Sequence, residues 1–372
     1  MPVGLLSTSK EHPWSRRKRE DTCCESVSHF CLQNCCRRTM TANFFITVLA
    51  ICAVLYVMFY FYLSRHIVID NQFAGAVPVD VLQGKKEFEQ VEIARTCSKT
   101  TSLCYKVVDS VVDDNPSVVR RELFTLGAGE WDSETGVLLK PPTKGDTFHQ
   151  YVSALAVSPF VFGPVPLVDD NAKRTFKVLL IGLGGGNLDM FWIALDRKDL
   201  NITVLELDEA VVSLAKEWFG VEESERRRTV VGDGIAFIKE EEGKGQHYDV
   251  IVIDACDLDK ARPCPAQNFL KEDTLSAVHS LLSQDGVVVF NVLPLKEPRL
   301  ETLDKATSPL RDHFPTCFSM SVQVETNAVV SCTKKSMTDS EQYMRFMRTR
   351  LTAAFRTLRL TDIVTDVERA KQ

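Results

Sequence analysis

Val178-Leu-Leu-Ile-Gly182-Leu-Gly184-Gly185-Gly186-Asn187 is the stretch on which the fold turns. Four branched aliphatics lead into four glycines, and a helix-like segment, Leu188 to Leu195, follows. A glycine turn between a strand and a helix presents bare backbone N–H groups at a positive helix end. Acids recur behind it at strand ends: Glu206 in Asn201-Ile-Thr-Val-Leu-Glu206, Asp233 between Gly232 and Gly234, and Asp254 and Asp257 after Tyr248-Asp-Val-Ile-Val-Ile253. An acid about twenty residues past such a loop is placed to take ribose hydroxyls, and Glu206 stands at that distance from Gly186. An acid at Asp233 can accept from an adenine amino group and can equally cap the helix that follows.

Working outward, β and α patterns alternate from Lys177, which predicts a doubly wound sheet. Strands are expected near 177–181, 202–207, 228–232, 248–253 and 286–292, with helices near 187–196, 209–218, 233–240, 268–283 and 298–312. Residues 317–324 and 328–332 read as a closing antiparallel hairpin, and Ser340 to Phe355 as a last helix. The domain is expected to run over 146–356, with a loose tail at 357–372. Before it, 66–145 reads as short strands broken by turns, a small β subdomain. The charge runs Glu222–Arg228 and Lys239–Lys244 read as solvated turns, and Trp218 and Phe219 as packing for the second helix.

Phe44 to Leu63 carries twenty residues with no charge, enough to cross a bilayer core of ~30 Å as a helix. About forty residues come before it, so a retained anchor is expected rather than a cleaved leader. Lys10, Arg16, Arg17, Lys18, Arg19, Arg37 and Arg38 precede it, against Arg65 just after. That asymmetry predicts a type II single-pass protein, with a disordered cytosolic tail at 1–40 and the domain lumenal or extracellular. Cys23, Cys24, Cys31, Cys35 and Cys36 in the tail are palmitoylation candidates or plain thiols. Their adjacent pairs lack zinc-site spacing, and no metal site is expected. Six cysteines follow the span, an even number that suits an oxidising compartment. Cys97 and Cys104 flank a turn and can bridge a hairpin; the pairing of Cys256, Cys264, Cys317 and Cys332 stays open, free thiols included. Asn201-Ile-Thr203 is a glycosylation sequon that matters only on the lumenal side. A net charge of −6 gives no support to nucleic-acid binding.

Val178 to Pro294 resembles the spermidine/spermine synthase-like branch of class I S-adenosylmethionine-dependent methyltransferases. Within it, the likeness is to the C-terminal half of the methyltransferase-like proteins that modify the N-terminus of elongation factor one-alpha. The matching pieces are Gly182-Leu-Gly-Gly-Gly186, Leu205-Glu-Leu-Asp208, Trp218-Phe-Gly220, Asp233-Gly234, Tyr248-Asp-Val-Ile251, Asp254, Cys264-Pro265, Phe269 and Asn291-Val292. The resemblance implies a Rossmann-like class I methyltransferase sheet. It also implies S-adenosylmethionine as cofactor, its methionine portion on Gly182, Gly184, Gly185 and Gly186, its ribose on Glu206 and its adenine on Asp233. Asp254 and Asp257 resemble the acid pair with which spermidine synthases hold and deprotonate an amine, and His149 is a further catalytic candidate.

Departures matter too. Spermidine synthases carry an aspartate where this chain has Gly185; an aspartate there would repel the carboxylate of ordinary S-adenosylmethionine. Their Tyr-Gln-Glu signature is reduced to His149-Gln150-Tyr151, without its acid. Methyl transfer to an amine or protein N-terminus is therefore expected. Aminopropyl transfer to a polyamine, or an inactive membrane-tethered binding protein, are the alternatives. A second copy of the chain is an expected partner.

Overall fold

The computed structural model describes residues 91–112, 115–126, 134–138, 150–168, 174–257, 261–296, 298–322, 325–337, 340–360 and 364–369. The expected membrane span, the tail cysteines and His149 lie outside them. Among the described residues no helix is long and apolar enough to cross a membrane.

Strands β1 (Val91–Cys97), β2 (Cys104–Val112), β3 (Asn115–Leu126) and β4 (Glu134–Leu138) form an antiparallel sheet in that order. Helix α1 (Gln150–Val161) follows, and then β5 (Phe176–Ile181), α2 (Asn187–Ala194), β6 (Leu200–Glu206), α3 (Glu209–Trp218), β7 (Arg227–Val231), α4 (Gly234–Gly243) and β8 (Tyr248–Ile253) alternate. A short 3-10 turn at Gln267–Leu270 leads to α5 (Glu272–Leu281), β9 (Leu282–Val292) and α6 (Arg299–His313). The chain continues through β10 (Thr316–Val322), β11 (Ala328–Thr333), α7 (Glu341–Thr357) and β12 (Val364–Arg369). The second sheet runs β12-β10-β11-β9-β8-β5-β6-β7. From β9 to β7 neighbouring strands are parallel, whereas β11, β10 and β12 join antiparallel.

Period-two side-chain alternation explains the layers. Val178, Leu180, Val250, Val252, Val287 and Val289 point into one core with α1, α2 and α7. Their neighbours Leu179, Ile181, Ile251, Ile253, Val288 and Phe290 point into the other, beneath α5 and α6. Strands covered on both faces have no polar side, hence the unbroken aliphatic runs. A smaller core joins Tyr105, Val107 and Leu123 of the first sheet to Val211, Leu214 and Phe219 of α3 and its end, with Trp218 packed against it. Arg121 locks this contact: it pairs with Asp109 at 2.8 Å and donates to the Trp218 carbonyl at 2.9 Å.

Two expectations need correcting. The segment after Leu358 is not simply a loose tail, because β12 pairs antiparallel with β10 and extends the sheet. The run Glu222–Arg228 is not wholly solvated: Arg227 is fully buried and donates to Asp189 of α2 at 2.7 Å. Glu241, in the second charge run, is likewise buried and accepts from Tyr248 at 3.2 Å. A buried charge is tolerated only with such a partner. The six cysteines after the expected span form three disulfides, Cys97–Cys104, Cys256–Cys264 and Cys317–Cys332.

Candidate functional site

The site opens at the C-terminal ends of β5 and β8, where the strand order reverses, the place such sheets leave for ligands. Gly182 leaves β5 with φ +100°, and the Asp254 carbonyl occupies the place where its Cβ would stand. Glycine is thus required by two independent constraints, and it brings the loop against the strand end that carries Asp254. Gly184 and Gly186 also have positive φ, and the Gly186 N–H closes the turn on the Leu183 carbonyl at 2.9 Å before α2 begins.

Glu206 ends β6 beside this loop. Its Oε2 accepts from the Leu183 N–H and its Oε1 from the Asp208 N–H, both at 3.0 Å. Burial raises this carboxyl above its usual range, against the opposing N–H bonds. Asp208 begins α3 as its N-cap and also receives the hydroxyls of Thr101 and Tyr105 at 2.8 Å each. Burial works to raise the Asp208 carboxyl, but bonds from Ser98, the Ala210 N–H, Tyr105 and Thr101 outweigh it and hold it below its ordinary value. The same contact, after burial, pushes the Tyr105 hydroxyl up. Asp233 caps α4 through Oδ1, which accepts from Ile235 and Ala236.

Past β8, Asp254 Oδ1 accepts from Asn291 Nδ2 at 2.8 Å, and Asn291 Oδ1 accepts from Asn327 Nδ2 at 2.8 Å. Asp257 accepts from the Gln267 N–H at 2.9 Å, on a loop cross-linked by Cys256–Cys264. These elements enclose one cavity of about 630 Å³, roofed by Thr101 and Leu103 of the turn between β1 and β2 and by Tyr105 and Thr125 of the first sheet. Its lining includes six acids, Glu206, Asp208, Asp233, Asp254, Asp257 and Glu325, and among the described residues no lysine, arginine or histidine. Six acids in the described lining favour a cationic ligand over an anionic one.

Of the residues marked in the sequence, Gly182, Gly184, Glu206, Asp233, Asp254 and Asp257 line this cavity together. Gly185 and Gly186 are buried under the turn and lie outside the lining. Sequence reading gave no role to Glu325, Asn327 or Tyr105. Glu325 and Asn327 sit in a hairpin turn, and no local spacing signals that they face helix α1 and β9. Among the described residues no cluster of His, Cys, Asp and Glu could hold a metal ion.

Residues 163–302 match the family model of the spermine/spermidine synthase domain. The zebrafish (Danio rerio) eEF1A lysine and N-terminal methyltransferase is 33% identical over 174 residues, 45% of this chain and 24% of that protein. The chain thus spans about a quarter of the length of that relative. A crystal structure of a probable spermidine synthase from Corynebacterium glutamicum superposes with a TM-score of 0.53 at 14% identity, covering 74% of this chain and 89% of the other; that likeness shows the fold alone. Human methyltransferase-like protein 13, solved in complex with SAH, gives a TM-score of 0.47 at 25% identity over 57% of this chain and 94% of the other.

Proposed function

We propose, from the premise that residues 163–302 form a spermidine synthase-like domain distantly homologous to eEF1A methyltransferases, that this domain binds S-adenosylmethionine and transfers its methyl group to an amine or a protein N-terminus. The observation that carries this reading is the single cavity in which the glycine loop, Glu206 and Asp254 converge. Glu206 would take the ribose hydroxyls on its remaining lone pairs, Gly182 and Gly184 the methionine portion, and Asp233 the adenine. When bound, the cofactor supplies an already activated methyl group. The chain's own share is then to place a neutral nucleophile in line, worth ~7–11 kcal/mol for well-oriented reactants, and to receive its proton. Asp254 and Asp257 would receive that proton, and the six acids of the described lining support an amine acceptor.

Aminopropyl transfer is the second reading, favoured by the family match. Gly185 argues against it, since a glycine offers no carboxylate to pair with the free amine of a decarboxylated cofactor. Calorimetry on the full-length chain separates the readings. Tighter binding of S-adenosylmethionine than of its decarboxylated form supports methyl transfer, the reverse supports aminopropyl transfer, and no binding to either supports an inactive binding protein.

The same proposal keeps the domain across the membrane from a cytosolic N-terminus. Three disulfides that use all six cysteines beyond the expected span support it. Asn201 is exposed at the start of β6, so a glycosidase-sensitive mass shift lost in Asn201→Gln is the expected result. Cytosolic protease access to the domain would overturn this placement.

A further inference from the structure

The reading of Asp254 as the acid that meets the acceptor leaves open what holds that carboxylate in place. Asn291 lies at the C-terminal end of β9 and is 2% exposed. Its amide turns Nδ2 toward Asp254 Oδ1, the orientation that an ionised carboxylate requires because it only accepts. That orientation sends Oδ1 the other way, where a buried carbonyl oxygen needs a donor. Asn327 provides it from the turn between β10 and β11, immediately before the Ala328–Val292 pairing that fixes the turn's register. Every donor in the series Asn327, Asn291, Asp254 therefore points toward the carboxylate.

The turn itself is anchored independently. Glu325 Oε1 accepts from the Gln150 N–H at 2.9 Å and Oε2 from the Tyr151 N–H at 2.8 Å, at the first turn of α1. A carboxylate across a helix N-terminus is favourably placed. Asn327 thus hangs from an arm clamped to α1 at one end and to the sheet at the other.

We propose that Asn291 and Asn327 are positioning residues, a one-way relay that holds the Asp254 carboxylate in a single orientation and in its ionised form. The need for one is electrostatic. Among the described residues, the other ionisable groups that line the cavity are Asp257 on the same loop, Glu206 and Asp208 at the end of β6, Asp233 after β7, Glu325 in the turn, and Tyr105 and Tyr151. When charged, all of these are negative, and each disfavours a further negative charge. Donation along the relay opposes that crowding, since hydrogen bonds to the charged form favour it. A buried amide that merely filled space would leave the titration of Asp254 untouched.

The test follows the Asp254 carboxyl carbon by NMR in the full-length chain labelled at aspartate Cγ, with Asp254→Asn used to assign the signal. Asn291→Ala should raise the titration midpoint by about one unit, the scale expected for losing a hydrogen bond to a carboxylate. Asn327→Ala should raise it by less, and Asn327→Gln should restore part of the difference. If Asn291→Ala does not fold, Asn327→Ala, in a half-buried turn, decides the matter alone. An unchanged midpoint in a folded variant overturns the relay. Because this readout needs no cofactor, failure of the wild-type chain to bind S-adenosylmethionine would sink the proposed function and leave the relay to stand or fall separately.

Discussion

The two ends of the cavity are built by different means. The end proposed for the cofactor consists of one contiguous turn, Gly182 to Asn187, and two acids that close neighbouring parallel strands, Glu206 and Asp233. Backbone geometry positions it: positive φ at Gly182, Gly184 and Gly186, and N–H groups that seat Glu206. The end proposed for the acceptor draws on Asp254, Asn291, Asn327, Glu325 and Tyr151, from separate strands, a turn and a helix, with side-chain bonds among them. A site held by backbone tolerates most side-chain changes but not a lost glycine. A site held by a relay of side chains loses its aim when one link is removed.

The largest expected effect falls on the glycine turn. Gly182→Ala places a methyl group against the Asp254 carbonyl at φ +100°, and a loss of about 3 kcal/mol in denaturant unfolding is expected. A near-neutral result would show that the cofactor end is less rigid than its backbone implies. Next, Glu206→Ala should weaken S-adenosylmethionine binding by about 100-fold in calorimetry, the upper value of one hydrogen bond to a charged group. Unchanged affinity would remove Glu206 from the ribose.

Opening the Cys256–Cys264 loop with a double Cys→Ser change should cost about 2 kcal/mol of stability, as for other short loops. It should leave cofactor affinity in place while loosening the Asp257 loop; equal damage at both ends would erase the distinction between them. The smallest effect belongs to the roof. Tyr105→Phe removes one of the donors to Asp208 and should cost about 1 kcal/mol. Asp208 is held below its ordinary value, so its bonds stabilise the fold at neutral pH, and that contribution fades as pH falls through the carboxylate range. Asp208→Asn should flatten this acid limb in a melting series across pH; an unaltered limb would mean that other carboxylates set it.

The alternating pattern from Lys177 placed β5, β6 and β8 to within a residue or two, because strands buried on both faces must be apolar throughout. Other parts were illegible. Val364-Thr-Asp-Val-Glu-Arg369 is short and half charged, and its β state depends on the open edge of β10. Arg227 sits in a run of charges, and only the tertiary fold, which brings Asp189 of α2 within reach, turns it inward. Glu325 reaches the start of α1 across more than 170 positions, a distance no local pattern encodes.

The sequence by itself determined the parallel half of the sheet, the glycine turn and the acids at strand ends. Each depends on backbone conformation and short-range periodicity, which neighbouring residues specify. The tertiary structure alone decided which acids share one cavity, that the first sheet roofs it through Asp208, and that Asn327 reaches Asp254 through Asn291. Those choices depend on strand order and helix packing, where hydrophobic burial brings distant segments together and polar side chains then find partners that their own neighbourhood never offered.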